Sequence, residues 1–357
     1  MKIAIMLPDA ELGGAQKVLI GLADEFSKCN SLQYVFLVKT GSLQANLHVS
    51  IPRTYLSNKR SMNVFDLIAV FYKLVRFMRN ESDVKIVSSG TGTNLLACAA
   101  RIFSGKRCSL YIREACSSRN SKSFLIPVLQ KLLYRFADGC IGVSDGVAKE
   151  LAELTHGKVA VASISNPVDA KQLQVLANAQ DDRLSNFPHS YLLTVGRLVP
   201  QKNTAMLIDA YAKISAKVSE HLVIIGAGPQ QQALQQQILD YGLTDKIHLL
   251  GEIANPHPWY KRASAFVLCS DSEGYPNVLL EALAHGLPVV STDCDFGPRQ
   301  ILENGRYGKL VKVGDVDGMA DAIQMILKSN TAFDVWDTEC FNSPDIAARY
   351  LAFMEGC

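Results

Sequence analysis

The 357-residue sequence lacks the features that mark several large classes of protein. No apolar run approaches the ~18 residues a membrane-spanning helix needs, so no helical span is expected. Residues 1–7 are apolar but stop at Pro8-Asp9, without a small-residue cleavage site. No secretory leader is expected, and the expected location is the cytoplasm or the cytoplasmic face of a membrane. The nine cysteines are scattered, with no CxxC pair and no Cys/His cluster. Their pattern argues against a metal site and for reduced, packed thiols. Neither sign of charge dominates: the net charge is +2, and no nucleic-acid surface is expected. Low-complexity tracts and short internal repeats are also missing.

What is present is ordinary globular composition, 48% hydrophobic and 20% charged. The length favours two domains, since single cores stop growing beyond roughly 250–300 residues. Continuous Val/Ile/Leu strands alternate with helical stretches. In the first half, strands fit residues 3–7, 34–38, 84–88, 109–112 and 140–143. Helices fit 16–27, 65–79, 93–103, 124–136 and 146–154. In the second half, strands fit 191–195, 222–225, 247–250, 266–269, 289–291 and 309–311, and helices fit 204–216, 230–241, 277–285 and 317–328. This alternation predicts an α/β fold of two doubly wound, Rossmann-like domains facing a cleft, with parallel sheets covered on both faces. The expected domains are 1–170 and 171–340, joined through the polar stretch 169–190. A last helix within 341–357, capped by Ser343, is expected to pack back on the first domain. In such sheets ligands sit at the carboxyl ends of the strands.

Two strand-end loops of the second domain carry the chemistry. The strand at 191–195 runs into Gly196-Arg197, with Lys202 just before a helix. Arg grips phosphate oxygens as a bidentate fork and Lys adds a compact charge, so the pair suits a diphosphate. A solvated basic loop is the bland alternative. The strand at 266–269 runs into Glu273-Gly274-Tyr275-Pro276-Asn277-Val278, with Glu281 further on. Pro276 suits a first helical position, and the amides near Asn277 and Val278 can meet a ligand oxygen. Glu281 shares the helix face of Asn277. Like charges repel, so Glu273 and Glu281 suit ligand hydroxyls rather than phosphates. A helix cap and a turn residue are their bland alternatives. Gly226-Ala227-Gly228-Pro229 is read as a structural turn, because the third glycine of a dinucleotide fingerprint is missing. Asp293-Cys294-Asp295 has the spacing of a metal clamp but is read as coincidence. Arg299, in the same strand-end region, is open between ligand contact and surface charge.

Together these residues resemble the retaining glycosyltransferases of family four, with the GT-B architecture, as found among bacterial polysaccharide and lipopolysaccharide transferases. The E-x7-E motif is Glu273…Glu281, and the Gly-Arg-x(4)-Lys motif is Gly196, Arg197 and Lys202. Gly13-Gly14, residues 143–146, 166–169 and 226–229, and Gly297-Pro298-Arg299 add support along nearly the whole chain. The resemblance implies an acceptor-binding first domain and a second domain that binds a nucleotide-sugar donor, a UDP-sugar being favoured. Arg197 and Lys202 would neutralise the departing diphosphate, and Glu281 would bind the ribose. Glu273 would contact the donor sugar, beside Gly274, Tyr275, Pro276, Asn277 and Val278. Gly13 and Gly14 would let the first domain approach the diphosphate. Catalysis would be mainly electrostatic, with no metal and no other cofactor, and domain closure would exclude water. Many relatives carry a first-domain histidine at the strand end near 112. Here that strand ends Arg113-Glu114, which are candidate acceptor or sugar contacts or a surface ion pair, and His48 is a poor substitute.

The expected acceptor is a glycan or a lipid-linked sugar in cell-surface polysaccharide synthesis. Residues 65–79, with Lys73, Arg76 and Arg79, and 122–135, with Lys122, Lys131 and Arg135, are apolar and basic. Arg53, Lys59 and Arg60 lie upstream. Such helices lie on anionic membranes, or pack in a core with snorkelling cations. Reversible contact with an anionic membrane is therefore expected alongside a core-helix alternative. Competing functions are a nucleotide-sugar epimerase, a nicotinamide oxidoreductase and a hinged sugar-binding protein. The epimerase lacks a convincing acid/base set, the oxidoreductase its glycine fingerprint after Leu7, and the binding protein an export signal.

Overall fold

A computed structural model of the chain describes residues 1–357 except 12, 29, 42–43, 45–46, 60–62, 106, 118–122, 188–189, 329–332 and 339–340. Cys29, Arg60, Lys122 and Cys340 thus lie outside the described residues. The chain divides into two units, Met1–Pro167 with Phe341–Cys357, and Val168–Cys340.

The first unit runs β1 (Lys2–Leu7), α1 (Gly14–Ser27), β2 (Ser31–Val38), β3 (Arg53–Ser57), α2 (Val64–Asn80), β4 (Val84–Ser89), α3 (Thr91–Ser104), β5 (Ser109–Glu114), α4 (Leu125–Leu133), β6 (Gly139–Gly142), α5 (Asp145–Leu154) and β7 (Ala160–Ser163). Its seven strands form a parallel sheet in the order β3-β2-β1-β4-β5-β6-β7. Helices cover both faces, so the central strands are apolar throughout: Ile3, Ile5 and Leu7 of β1 are buried, as are Ala4 and Met6 on the opposite face. The edge strands β3 and β7 are absent from the sequence-based assignment. Both are only half-buried, so they carry no continuous apolar run.

The second unit runs α6 (Ala170–Ala177), α7 (Asp182–Ser185), β8 (Tyr191–Val195), α8 (Thr204–Ile214), β9 (His221–Ile225), α9 (Gln231–Asp240), β10 (Ile247–Gly251), α10 (His257–Arg262), β11 (Ala265–Leu268), α11 (Asn277–Ala284), β12 (Val289–Thr292), α12 (Pro298–Ile301), β13 (Lys309–Val311) and α13 (Val316–Lys328). Its sheet order is β10-β9-β8-β11-β12-β13, again parallel. The polar stretch 169–190 belongs to the second unit and carries α6 and α7. Asp169 and Asp181 cap α6 and α7, and Trp259 Nε1 of α10 donates to Asp181 Oδ2 at 3.0 Å. Its polarity is that of a capped surface layer on the second unit.

The final helix, α14 (Ser343–Gly356), belongs to the first unit and buries Ile346, Ala347, Tyr350 and Met354 in that unit's core. Asn342, not Ser343, caps it, accepting from Asp345 N at 2.8 Å. Ser343 is instead its first residue.

Candidate functional site

In the second unit, β8 and β11 are neighbours, yet β8 leads on to β9 on one side and β11 to β12 on the other. The strand order reverses between them, and this is where an open α/β sheet leaves a crevice at its carboxyl end. The loops after these two strands hold the Gly196–Lys202 and Glu273–Val278 residues. They are stitched to each other by backbone and side chain. Asp271 N donates to Gln201 O at 2.8 Å, Gln201 Nε2 to Ser272 O at 2.7 Å, and Asn203 Nδ2 to Asp271 Oδ1 at 2.7 Å.

At the centre, Lys202 Nζ lies 2.5 Å from Glu273 Oε1. Ser270, fully buried at the end of the β11 segment, donates its hydroxyl to the same oxygen at 2.6 Å. Thr292 Oγ1 holds the Ser270 carbonyl at 2.6 Å. Glu273 is itself buried, so a chain of hydroxyls fixes it from below while the lysine approaches from the neighbouring loop. Arg197 differs: it is exposed, and its guanidinium makes no hydrogen bond or ion pair among the described residues. One cation of the pair is thus held by a carboxylate, and the other is uncommitted.

Glycines make these loops fit. Gly226 has φ 145°, and a Cβ there would lie 1.8 Å from Gly196 O; one on Gly228 would lie 2.3 Å from Leu198 O. The 226–229 turn is therefore the backing of the Arg197 loop, with Leu198 N donating to Ala227 O at 2.9 Å. Gly297, at φ 66°, supports the other loop: a Cβ would lie 2.7 Å from Pro276 Cδ and 2.9 Å from Gly274 O. Arg299 is ion-paired with Asp293 of the same region.

Gly274, Tyr275 and Pro276 are buried, and Asn277 and Val278 are half-buried at the start of α11. Pro276 is the N-cap residue rather than the first helical residue. It provides no side-chain cap, so the leading amides of the helix point out of its end without one. Glu281 stands one turn along on α11, over a buried floor that sequence reasoning missed. Tyr260 of α10 is fully buried and stacks on Phe266 at 5.5 Å and on His285 at 5.6 Å. His257 Nδ1 lies 3.3 Å from His285 Nε2. Burial first, and the His257 imidazole second, push the His285 pKa down to about 4. Burial first, and the Glu281 charge second, hold the Tyr260 hydroxyl well above its ordinary range. Glu281 thus stands beside a phenol and an imidazole that are both neutral at pH 7. His285 is four residues from Glu281 on one helix, and that spacing was the available signal.

In the first unit, Gly13 caps α1 and Gly14 opens it; a Cβ on Gly13 would lie 2.3 Å from Gln16 Oε1. Of the two readings left open for Arg113 and Glu114, the surface ion pair does not hold, because both residues are buried. Arg113 is 0% exposed. Its Nε donates to Tyr350 OH at 2.9 Å, Nη1 to Ser89 Oγ at 3.2 Å and Nη2 to Asn166 Oδ1 at 2.6 Å. Glu114 is also buried, accepting from Thr91 Oγ1 and Asn94 Nδ2, each at 3.0 Å, and from Tyr134 OH. Burial pushes the Glu114 carboxyl up, against these hydrogen bonds. Arg113 ties the C-terminal helix to the sheet, and neither residue forms a surface ion pair.

Two doubly wound, Rossmann-like units, the second with a cationic loop and a carboxylate loop meeting at its switch point, define the GT-B class of glycosyltransferase fold. Residues 189–329 match the family model described as Glycosyl transferases group 1, and this segment is a domain of that family. The chain is 30% identical over 253 residues to the N-acetylgalactosamine-N,N'-diacetylbacillosaminyl-diphospho-undecaprenol 4-alpha-N-acetylgalactosaminyltransferase of Campylobacter jejuni, covering 66% of this chain and 65% of that protein. A second Campylobacter jejuni protein, a GalNAc-alpha-(1->4)-GalNAc-alpha-(1->3)-diNAcBac-PP-undecaprenol alpha-1,4-N-acetyl-D-galactosaminyltransferase, is 26% identical over 337 residues, 92% of this chain and 89% of its own. Among solved structures, Anabaena Alr3699/HepE in complex with UDP-glucose superposes with a TM-score of 0.84 at 19% identity, covering 100% of both chains. That likeness is one of fold.

Proposed function

We propose that this chain is a retaining glycosyltransferase that moves a hexosyl or N-acetylhexosaminyl group from a nucleotide-diphosphate sugar, a UDP-sugar by preference, to a glycan or lipid-linked acceptor in cell-surface polysaccharide or lipopolysaccharide synthesis. The observation that carries the reading is the 2.5 Å Lys202–Glu273 pair beside the uncommitted Arg197, at the switch point of the second sheet. Two cations and the leading amides of α11 suit a diphosphate. Glu273 and Glu281 suit the hydroxyls of sugar and ribose. The names of the two Campylobacter relatives, both acting on diphospho-undecaprenol-linked sugars, support a lipid-linked acceptor, and the UDP-glucose held by the Anabaena fold relative supports the donor class.

The chemistry follows from the charges. The bond between the sugar's anomeric carbon and the diphosphate oxygen breaks through an oxocarbenium-like state. Arg197 and Lys202 stabilise the negative charge that gathers on the diphosphate. Lys202 moves its hydrogen bond from Glu273 toward the phosphate, which releases Glu273 to accept from a sugar hydroxyl. The departing phosphate takes the acceptor proton on the face it leaves, so the anomeric configuration is kept. These steps need no metal and no further cofactor.

A thermal-shift screen of UDP-, GDP- and ADP-sugars, followed by product analysis by NMR, checks this. One nucleotide-sugar is expected to raise the melting temperature, and Arg197→Ala is expected to abolish the shift. Arg197→Ala and Lys202→Ala are each expected to lower kcat by about 10²–10³. Inverted product, or a shift with NAD and none with any nucleotide-sugar, would overturn the reading.

A further inference from the structure

The Tyr260 ring is packed by three others. It stacks on Phe266 at 5.5 Å, on His285 at 5.6 Å and on His257 at 5.8 Å, with interplanar angles of 22°, 21° and 26°. Tyr260 and Phe266 are both 0% exposed. Phenylalanine would fill the same stack, so the ring alone is a core feature. The hydroxyl is not. It is buried, and no hydrogen bond to it is complete among the described residues. A buried hydroxyl in that state is unfavourable, and its presence needs a physical reason.

That reason lies on α11. His285, stacked on the Tyr260 ring, follows Glu281 by one helical turn, so both lie on the face that meets α10. Burial first, then the charge of Glu281 and a hydrogen bond directed toward it, keep the phenol protonated. The contact is an approach rather than a finished hydrogen bond, because the geometry is not yet complete. Its direction is settled by chemistry: an ionised carboxylate only accepts, and a neutral phenol can donate. Asn277, one turn before Glu281, is half-buried at the uncapped start of the same helix, so Glu281 stands between the phenol and the strand-end crevice.

A glutamate side chain has several rotatable bonds, and fixing them when a ligand arrives weakens binding. A rigid donor behind the carboxylate removes part of that penalty. We infer that Tyr260 is the positioning residue of the ribose site: its hydroxyl donates to one oxygen of Glu281 and leaves the other turned to the ribose hydroxyls of a nucleoside diphosphate. Tyr260 acts through Glu281 and touches no substrate. The consequence is a choice of donor class. A pre-aimed carboxylate favours ribonucleotide sugars, because a nucleotide without those hydroxyls leaves the carboxylate unmet. The inference rests on the nucleotide-sugar reading above and adds the residue that sets the preference for ribose.

Calorimetric titration of the full chain tests it, with UDP, GDP, ADP and the 2′,3′-dideoxy form of each. One ribonucleotide is expected to bind, and its dideoxy form to bind about 10–100-fold more weakly, the size of a hydrogen bond to a charged group. Tyr260→Phe keeps the stack and is expected to leave the melting temperature of the free protein unchanged or higher, since no complete hydrogen bond is lost. It is expected to weaken the ribonucleotide about three- to tenfold and to leave the dideoxy form unchanged, so the ratio narrows. Glu281→Ala is expected to remove the discrimination, and Tyr260→Phe added to it to change nothing further. Equal weakening of both nucleotides by Tyr260→Phe, or additive effects of the two substitutions, would overturn the inference and leave the nucleotide reading standing. So would wild type that binds both forms equally, because Glu281 would then not hold the ribose. A lower melting temperature for Tyr260→Phe would assign the hydroxyl to folding and also overturn it. Binding of none of the three ribonucleotides would overturn the nucleotide reading itself, and the inference with it.

Discussion

Glu273 is a buried carboxylate whose charged contact among the described residues is a lysine from another loop. Removing either partner leaves the other with an unmet buried charge or hydrogen bond, which costs about 1–3 kcal/mol. Lys202→Ala is therefore expected to destabilise the second unit by that amount, and Lys202→Ala/Glu273→Gln to recover at least half of it. Denaturant titration of the two singles and the double measures the coupling. Strict additivity would show that the pair is not energetically linked. Activity should stay lost in the double variant, since the restored stability does not restore the cation. Both motif residues were legible in the sequence. Their contact was not, because 71 positions separate them and only the adjacency of β8 and β11 joins them.

At the scale of elements, the loops that carry the site are held by backbone contacts that leave no room for a side chain. Gly226→Ala would force a Cβ against Gly196 O and hold an alanine at φ 145°. A loss of about 2 kcal/mol or more is expected, with the donor-induced shift reduced because the Arg197 loop must move. Gly242 is the control: it has φ 65° and open space around its Cβ, so Gly242→Ala should cost about 1 kcal/mol and leave donor binding intact. Melting curves with and without nucleotide-sugar separate the two cases. The sequence marked 226–229 as a turn from its glycines. That the turn backs the Arg197 loop follows only from the packing of β9 beside β8.

For the whole molecule, the chain closes on itself: α14 returns to the unit in which the chain began. Tyr350 meets Phe26 of α1 edge-on at 5.9 Å and accepts from Arg113, while Tyr111 OH donates to Met354 O at 2.8 Å. Deleting residues 343–357 would remove Ile346, Tyr350 and Met354 from the core, at about 1.5–3 kcal/mol each, and uncover the side chains they pack on, a loss comparable to the whole stability of a domain. The first unit is expected to unfold, read as protease sensitivity of residues 1–167, while the second unit retains its donor-induced shift. Survival of both would mean that α14 is an accessory. Cys98, Cys140 and Cys269 are buried thiols whose ionisation burial opposes, while Cys116 and Cys357 are exposed, so the comparison is made under reducing conditions.

Alternation of apolar strand and amphipathic helix is a local property, so the α/β class and most elements were readable from residue order. Arg197, Lys202, Glu273 and Glu281 were singled out by residue type and position after strands, and the structure puts them on the loops after β8 and β11 and on α11. Edge strands β3 and β7 were missed because a half-exposed strand has no apolar run to betray it. Helices α6 and α7 in the polar stretch 169–190 were not assigned, because short capped surface helices and loops share a composition. The burial of Arg113 and Glu114 was not legible, because two adjacent charges look solvated in one dimension. Their burial depends on Ser89, Asn166 and Tyr350 for the arginine and on Thr91, Asn94 and Tyr134 for the glutamate. Burial of charge and contact between distant loops are sums over many chain segments, and only the packed structure brings those segments together.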